Sequence, residues 1–131
     1  GSLISNTDVS LSGSNVTLYF RNNASIALNA RTTLNLTAPS SGPYSGLLFF
    51  GARDNALMTQ KLTGSSSSVL HGAIYLPASL IEFVGNSSAT NGCTQIIGRR
   101  VQFSGSTNIA ATCANAGTST IDANMKAIVS E

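Results

Sequence analysis

Three five-residue blocks recur along this chain at nearly constant spacing. Gln60-Lys61-Leu62-Thr63-Gly64, Ile81-Glu82-Phe83-Val84-Gly85 and Val101-Gln102-Phe103-Ser104-Gly105 lie 21 and then 20 residues apart, each ending in glycine. A second set, Leu47 to Phe50, Ala73 to Leu76 and Thr94 to Ile97, steps by about 26 and then about 21 residues. Two interleaved ladders with a shared period near 20 are what a solenoid produces. One coil cannot bury its inward face alone, so equivalent residues stack from coil to coil into a continuous core.

The local pattern agrees with stacked strands. Apolar residues alternate with polar ones in Val16, Leu18, Phe20, in Ile26, Leu28, in Leu34, Leu36, in Ile81, Phe83 and in Val101, Phe103, and alternation at period two is the strand signal. The connections, such as Arg21-Asn22-Asn23, Asn29-Ala30-Arg31 and Gly105-Ser106-Thr107-Asn108, are short and rich in Asn, Ser and Gly. Asparagine at such corners accepts left-handed backbone and can hydrogen-bond along a ladder of coils. These features predict an all-β fold, a right-handed parallel β-helix (β-solenoid) of about six short coils, forming a single domain over residues 3–131. Residues 65–68 and 39–43 read as insertions at corners, the second because two prolines forbid a regular central strand. The tail from Thr120 to Ser130 is a candidate for a short C-terminal helix, against a last strand or frayed end. The competing all-β architecture is an immunoglobulin-type sandwich. It fits less well, because no Trp stands between the cysteines and their spacing is too short to join facing sheets in that fold.

Composition removes several function classes. Ser, Thr, Asn and Gly supply 57 of the 131 residues, yet 42% of the chain is hydrophobic and the formal net charge is only +2, which is not the balance of a disordered chain. Seven Lys and Arg against five Asp and Glu cannot form the dense basic stripe of a nucleic-acid module. One His and two Cys are too few for most metal sites, and neither a metal nor another cofactor is expected. Gly42-Pro43-Tyr44-Ser45-Gly46 lacks the Lys and the glycine spacing of a phosphate loop. No run of 18 apolar residues is present to span a membrane. Gly1-Ser2 reads as a pair left by tag removal, with an export signal or membrane anchor expected upstream. Cys93 and Cys113, 20 positions apart, read as one disulfide of an oxidising compartment, with two buried thiols in a cytosolic protein as the alternative.

Among residues that carry chemistry, Asp54 is the best placed acid, since the loop Gly51-Ala52-Arg53-Asp54-Asn55 follows an apolar strand and would present Arg53 and Asp54 outward. The plainer reading is a solvated corner with a local ion pair of little energetic weight. Glu82, between Ile81 and Phe83, is expected to point to solvent. His71 stands where it could act as a base toward Ser68, but no Gly-x-Ser-x-Gly elbow accompanies it, and a solitary His at a corner more often bonds the local backbone. Arg99-Arg100 is the densest positive spot, although neighbours on a strand point to opposite faces and would not make an anion clamp. Asn-x-Ser/Thr triplets at Asn15, Asn23, Asn35 and Asn86 are expected by chance in so polar a chain. Tyr19, Tyr44 and Tyr75 are the candidates for stacking on a sugar.

The stretch Leu34-Asn35-Leu36-Thr37-Ala38-Pro39-Ser40-Ser41-Gly42-Pro43-Tyr44-Ser45-Gly46-Leu47-Leu48-Phe49-Phe50 carries a family resemblance. With Gly72-Ala73-Ile74-Tyr75-Leu76-Pro77, Gly85-Asn86-Ser87-Ser88 and Cys93-Thr94-Gln95-Ile96-Ile97 as an ordered set over roughly residues 9–113, it resembles the C-terminal region of tight-adherence (Flp) pilus assembly proteins of the TadE/TadG-like group. The resemblance implies a non-enzymatic module of a bacterial envelope protein in the periplasm or on the cell surface, anchored by an upstream segment. Its partners would be pilus-assembly or envelope proteins, or another copy through the solenoid ends. It supplies no catalytic residues to this chain. The alternative function is a carbohydrate-binding adhesin, or a polysaccharide-active enzyme, on the same scaffold; its surface-binding candidates are Arg53, Asp54, His71, Tyr44 and Tyr75.

Overall fold

The computed structural model describes residues 1–55, 58–63, 65, 67–84, 88–89, 94–106 and 108–109. In chain order these form β1 (Leu3–Ile4), β2 (Ser10–Gly13), β3 (Leu18–Phe20), β4 (Ile26–Ala27), β5 (Thr33–Thr37), β6 (Leu47–Gly51), β7 (Thr59–Thr63), β8 (Val69–Val84), β9 (Ser88–Ala89), β10 (Thr94–Ser104) and β11 (Asn108–Ile109). Every pairing among them is parallel. The fold is the expected β-solenoid, with three strand positions per coil. The first face stacks β1, β4, β7, residues 80–84 of β8 and residues 100–104 of β10. The second stacks β2, β5 and residues 69–71 of β8. The third stacks β3, β6, residues 73–75 of β8 and residues 94–98 of β10.

The sequence ladder of these blocks is reproduced in direct register over residues 60–63, 81–84 and 101–104, because Gln60 pairs with Ile81 and Val101 with Ile81. The other ladder is displaced by one position: Gln95, not Thr94, pairs with Ala73. The reason lies at the corner between the third and first faces. From Tyr75 to Glu82 the chain takes seven residues, whereas from the equivalent Ile97 to Gln102 it takes five. An offset of 22 on one face thereby becomes 20 on the next, and a single period cannot describe both.

Corner lengths also correct two expectations. Five rungs on the first face make about four turns in the described residues, not six. Part of the difference is the insertion at residues 39–46: Thr37 to Leu47 is ten residues, but the equivalent His71 to Ala73 is two. Residues 65–68, by contrast, are not an insertion. The step from first to second face is eight residues in each of three coils, Ile4 to Ser12, Ala27 to Asn35 and Lys61 to Val69. A serine run there reflects chemistry shared between coils: the Ser68 hydroxyl accepts from Leu34 N at 3.0 Å, Thr33 and Ser65 hydroxyls meet at 2.9 Å, and Ser5 and Thr32 meet at 2.6 Å. The expected C-terminal helix, and both Cys93 and Cys113, lie outside the described residues.

The core runs along the axis as stacked apolar rungs. Ile26, Leu36, Leu48, Phe49, Ile74, Leu76 and Ile81 are fully buried, and each removes apolar surface that a lone coil would leave wet. One rung is polar. Gln60 is fully buried, and its Oε1 accepts from Ile26 N at 2.6 Å while its Nε2 donates to Ala24 O at 3.1 Å. Asn55 Nδ2 donates to the same carbonyl at 2.9 Å, and Ser79 Oγ donates to Asn55 O at 3.2 Å. This amide cluster fastens the loop after β6 to the coils on either side; both Gln60 amide atoms and Asn55 Nδ2 are paired, as buried amides require, and Asn55 Oδ1 is buried without a partner.

Corners depend on left-handed backbone, as the asparagines predict: Asn15, Asn22 and Asn23 have φ of 57°, 53° and 61°. The tightest corner is Gly72, with φ of 140°. A Cβ there would lie 2.6 Å from Ala38 Cβ and 3.0 Å from Leu48 Cβ, so any side chain combines backbone strain with a clash against two packed elements. Gly72→Ala is expected to lower unfolding stability by roughly 2–4 kcal/mol in urea titrations. An unchanged midpoint would mean that the second and third faces do not meet at this corner as described.

Candidate functional site

The most distinctive surface feature begins with an irregularity in β6. Pairing with β8 shifts between Leu47 and Phe49, and the bulge turns both Leu48 and Phe49 into the core, each at 0% exposure. Phe50, next in line, is left facing outward. Its register partners are Tyr19 in β3 and Tyr75 in β8, and Tyr75 in turn pairs with Ile97 in β10. Strand stacking therefore sets three aromatic rings in one column on the outside of the third face.

The rings pack on one another. Tyr19 and Phe50 have centroids 5.3 Å apart at an interplanar angle of 19°, and Phe50 and Tyr75 are 5.8 Å apart at 12°. Strands are spaced by roughly 4.8 Å, so these are offset stacks imposed by the ladder. Tyr44, carried by the inserted loop at residues 39–46, leans against the column with its ring 6.3 Å from Phe50 and tilted by 53°. The loop is closed by Gly46 N donating to Pro39 O at 2.7 Å and is tied to β8 by Ala73 N donating to Gly46 O at 2.7 Å. Tyr19, Tyr44 and Ile97 remain 54%, 52% and 46% exposed. The result is an apolar ridge rimmed by phenol hydroxyls.

The three tyrosines singled out in the sequence thus converge, but around a residue that was missed. In the sequence Phe50 is only part of an apolar strand, and nothing in Leu-Leu-Phe-Phe marks the bulge that turns it outward. The convergence also alters the chemistry. Phe50 has a ring on each face, so the middle of the column presents edges rather than a flat platform for a sugar.

The remaining candidates occupy other places. Arg53 and Asp54 are exposed in the turn after β6, and no ion pair joins them; among the described residues the ion pair found is Arg31 to Asp8 at 3.3 Å, both exposed. His71 is half-buried at the end of the second face, where its carbonyl accepts from Ala38 N at 2.8 Å. The hydroxyl of Ser68 is occupied by Leu34 N. Glu82 is half-buried between the buried Ile81 and Phe83 and takes the outward position on its strand, as alternation requires. No group of three or more His, Cys, Asp or Glu side chains is assembled among the described residues. Arg99 and Arg100 depart from the expected opposite orientations. They sit at the five-residue corner, where strand alternation is interrupted, and both are exposed beside one hollow with Thr59 and Leu80.

Comparison with protein-family models, with curated proteins and with solved structures finds no match to this chain. The ring column is consequently tested on its own terms. A double-mutant cycle with Phe50→Leu and Tyr75→Leu is expected to return a coupling of about 0.5–1.5 kcal/mol in unfolding stability. Strictly additive losses would show that the rings are neighbours without being stacked.

Proposed function

We propose that this chain is a non-catalytic structural and interaction module of a bacterial envelope protein, serving adhesive pilus assembly or surface attachment from the periplasm or cell surface. The observation that supports this reading is the aromatic ridge in which the exposed Tyr19 and Tyr44 flank the half-buried Phe50 and Tyr75. Monomeric surfaces seldom leave such contiguous apolar area in water without a partner for it. Aromatic residues on a rigid sheet are suited to that role, because they offer large contact area with little side-chain entropy to lose. The pilus setting comes from the family resemblance of residues 34–50 and of the later blocks.

The carbohydrate-binding alternative is favoured by one observation, the gathering of the three tyrosines. It is opposed by their geometry, since the ring faces a sugar would cover are turned toward neighbouring rings in the middle of the column. A protein partner accommodates edges and hydroxyls more readily than a pyranose does.

The reading is tested with the purified domain on a surface and purified pilin and secretion-platform subunits in solution. Capture is expected, and Tyr44→Ser together with Tyr19→Ser should weaken it at least about tenfold while leaving the circular dichroism spectrum unchanged. Capture indifferent to both substitutions, or no capture, would remove the ridge from the function.

A further inference from the structure

We propose that the corner of Arg99 and Arg100 is an oxyanion-binding site for an acidic saccharide, one carrying a carboxylate or phosphate. The inference deepens the reading of the chain as a surface-attachment module, and rests on that reading for its biological setting. It is carried by a hollow of about 370 Å³ lined by Thr59, Leu80, Arg99 and Arg100. Thr59, Leu80 and Arg100 form one rung of the first face, in direct register across three coils. Arg99 joins them because the chain between Ile97 and Gln102 is too short to hold strand alternation. Two guanidinium groups therefore flank one concavity.

The charge balance around the hollow is positive. The adjacent rung carries Lys61, Glu82 and Gln102, and neither Arg99 nor Arg100 forms an ion pair among the described residues. Guanidinium forks match the two oxygens of a carboxylate or phosphate, giving bonds stronger than those between neutral groups. Thr59 is exposed at its strand position, and its hydroxyl both donates and accepts, as recognition of sugar hydroxyls requires. Leu80 supplies an apolar wall for the carbon-bound hydrogens of a ring. The third face ends at Leu76, four residues before Leu80, and at Gly98, two residues before Arg100, so that an extended polymer crossing the corner would pass from the arginines to the exposed Ile97 and the half-buried Tyr75.

The test is a titration of the isotope-labelled protein, followed by the amide signal of Thr59 and the guanidinium signals of Arg99 and Arg100. The probes are trigalacturonate, glucose 6-phosphate, inorganic phosphate, a neutral glucose trisaccharide and a short poly-glutamate peptide. Saturable shifts confined to the hollow are expected with the first two probes. Arg99→Gln with Arg100→Gln should weaken binding at least about tenfold, while Arg21→Gln, at a corner of the first coil, should not change it. Absence of shifts, equal loss in the Arg21 variant, equal affinity for inorganic phosphate, or tighter binding of the neutral sugar or the peptide would each overturn the proposal. Because subunit capture is read on the tyrosine variants and saccharide binding on the arginine variants, failure of one is distinguishable from failure of the other.

Discussion

Parallel hydrogen bonding between successive coils is the constraint on which everything else in this protein rests. A single coil of three short strands has an inward row of Ile, Leu and Phe side chains and nothing to bury them against. Stacking coils in register solves that problem for the core, and by the same stroke decides what appears outside. If Leu18, Phe49 and Ile74 form one inward rung, then Tyr19, Phe50 and Tyr75 must form an outward one. The functional surface is thus a by-product of core register, and a slip by one residue would exchange the two sets.

The fold tolerates long additions because they are confined to corners. The eight extra residues around Pro39 to Gly46 leave the rungs on either side undisturbed and add Tyr44 to the ridge. The loop after β6 is held from within by Gln60 and Asn55, whose amides bind the Ala24 carbonyl of the preceding coil. Burying two amides is costly unless their partners are supplied, and here the backbone of the adjacent coil supplies them for Gln60 Oε1 and for both amide nitrogens. Ser and Thr hydroxyls do the same at the first corner, which gives a physical reason for a chain so rich in both yet so poor in charge.

Much of this was legible in the sequence, and the limits of legibility have causes. Strand alternation and the repeat from Gln60 through Ile81 to Val101 disclosed the solenoid, because the rungs of that face follow one another at 21 and then 20 residues there. The ladder from Phe50 through Tyr75 was blurred by one residue, since the corner at Pro77 to Ser79 is two residues longer than its equivalent at Arg99. Counting coils from a period of 20 overestimated them, as insertion lengths are invisible until register is known. The tyrosines were visible as residue types, but their convergence depended on a bulge that makes Leu48 and Phe49 both point inward. The same blindness to corners assigned Arg99 and Arg100 to opposite faces. Alternation is a property of strands, and the residues of interest here stand where strands end.

The central claim is that core register builds the aromatic column, and proton–proton contacts in the solution spectrum of the protein test it most directly. The Phe50 ring is expected to show cross-peaks to both the Tyr19 and Tyr75 rings, given centroid separations of 5.3 and 5.8 Å. Phe49 should show contacts to Phe20, which it meets edge to face at 6.0 Å, and none to Tyr75. Cross-peaks from Phe49 to Tyr75, with Phe50 contacting the core instead, would place the strands one residue out of register and contradict the account.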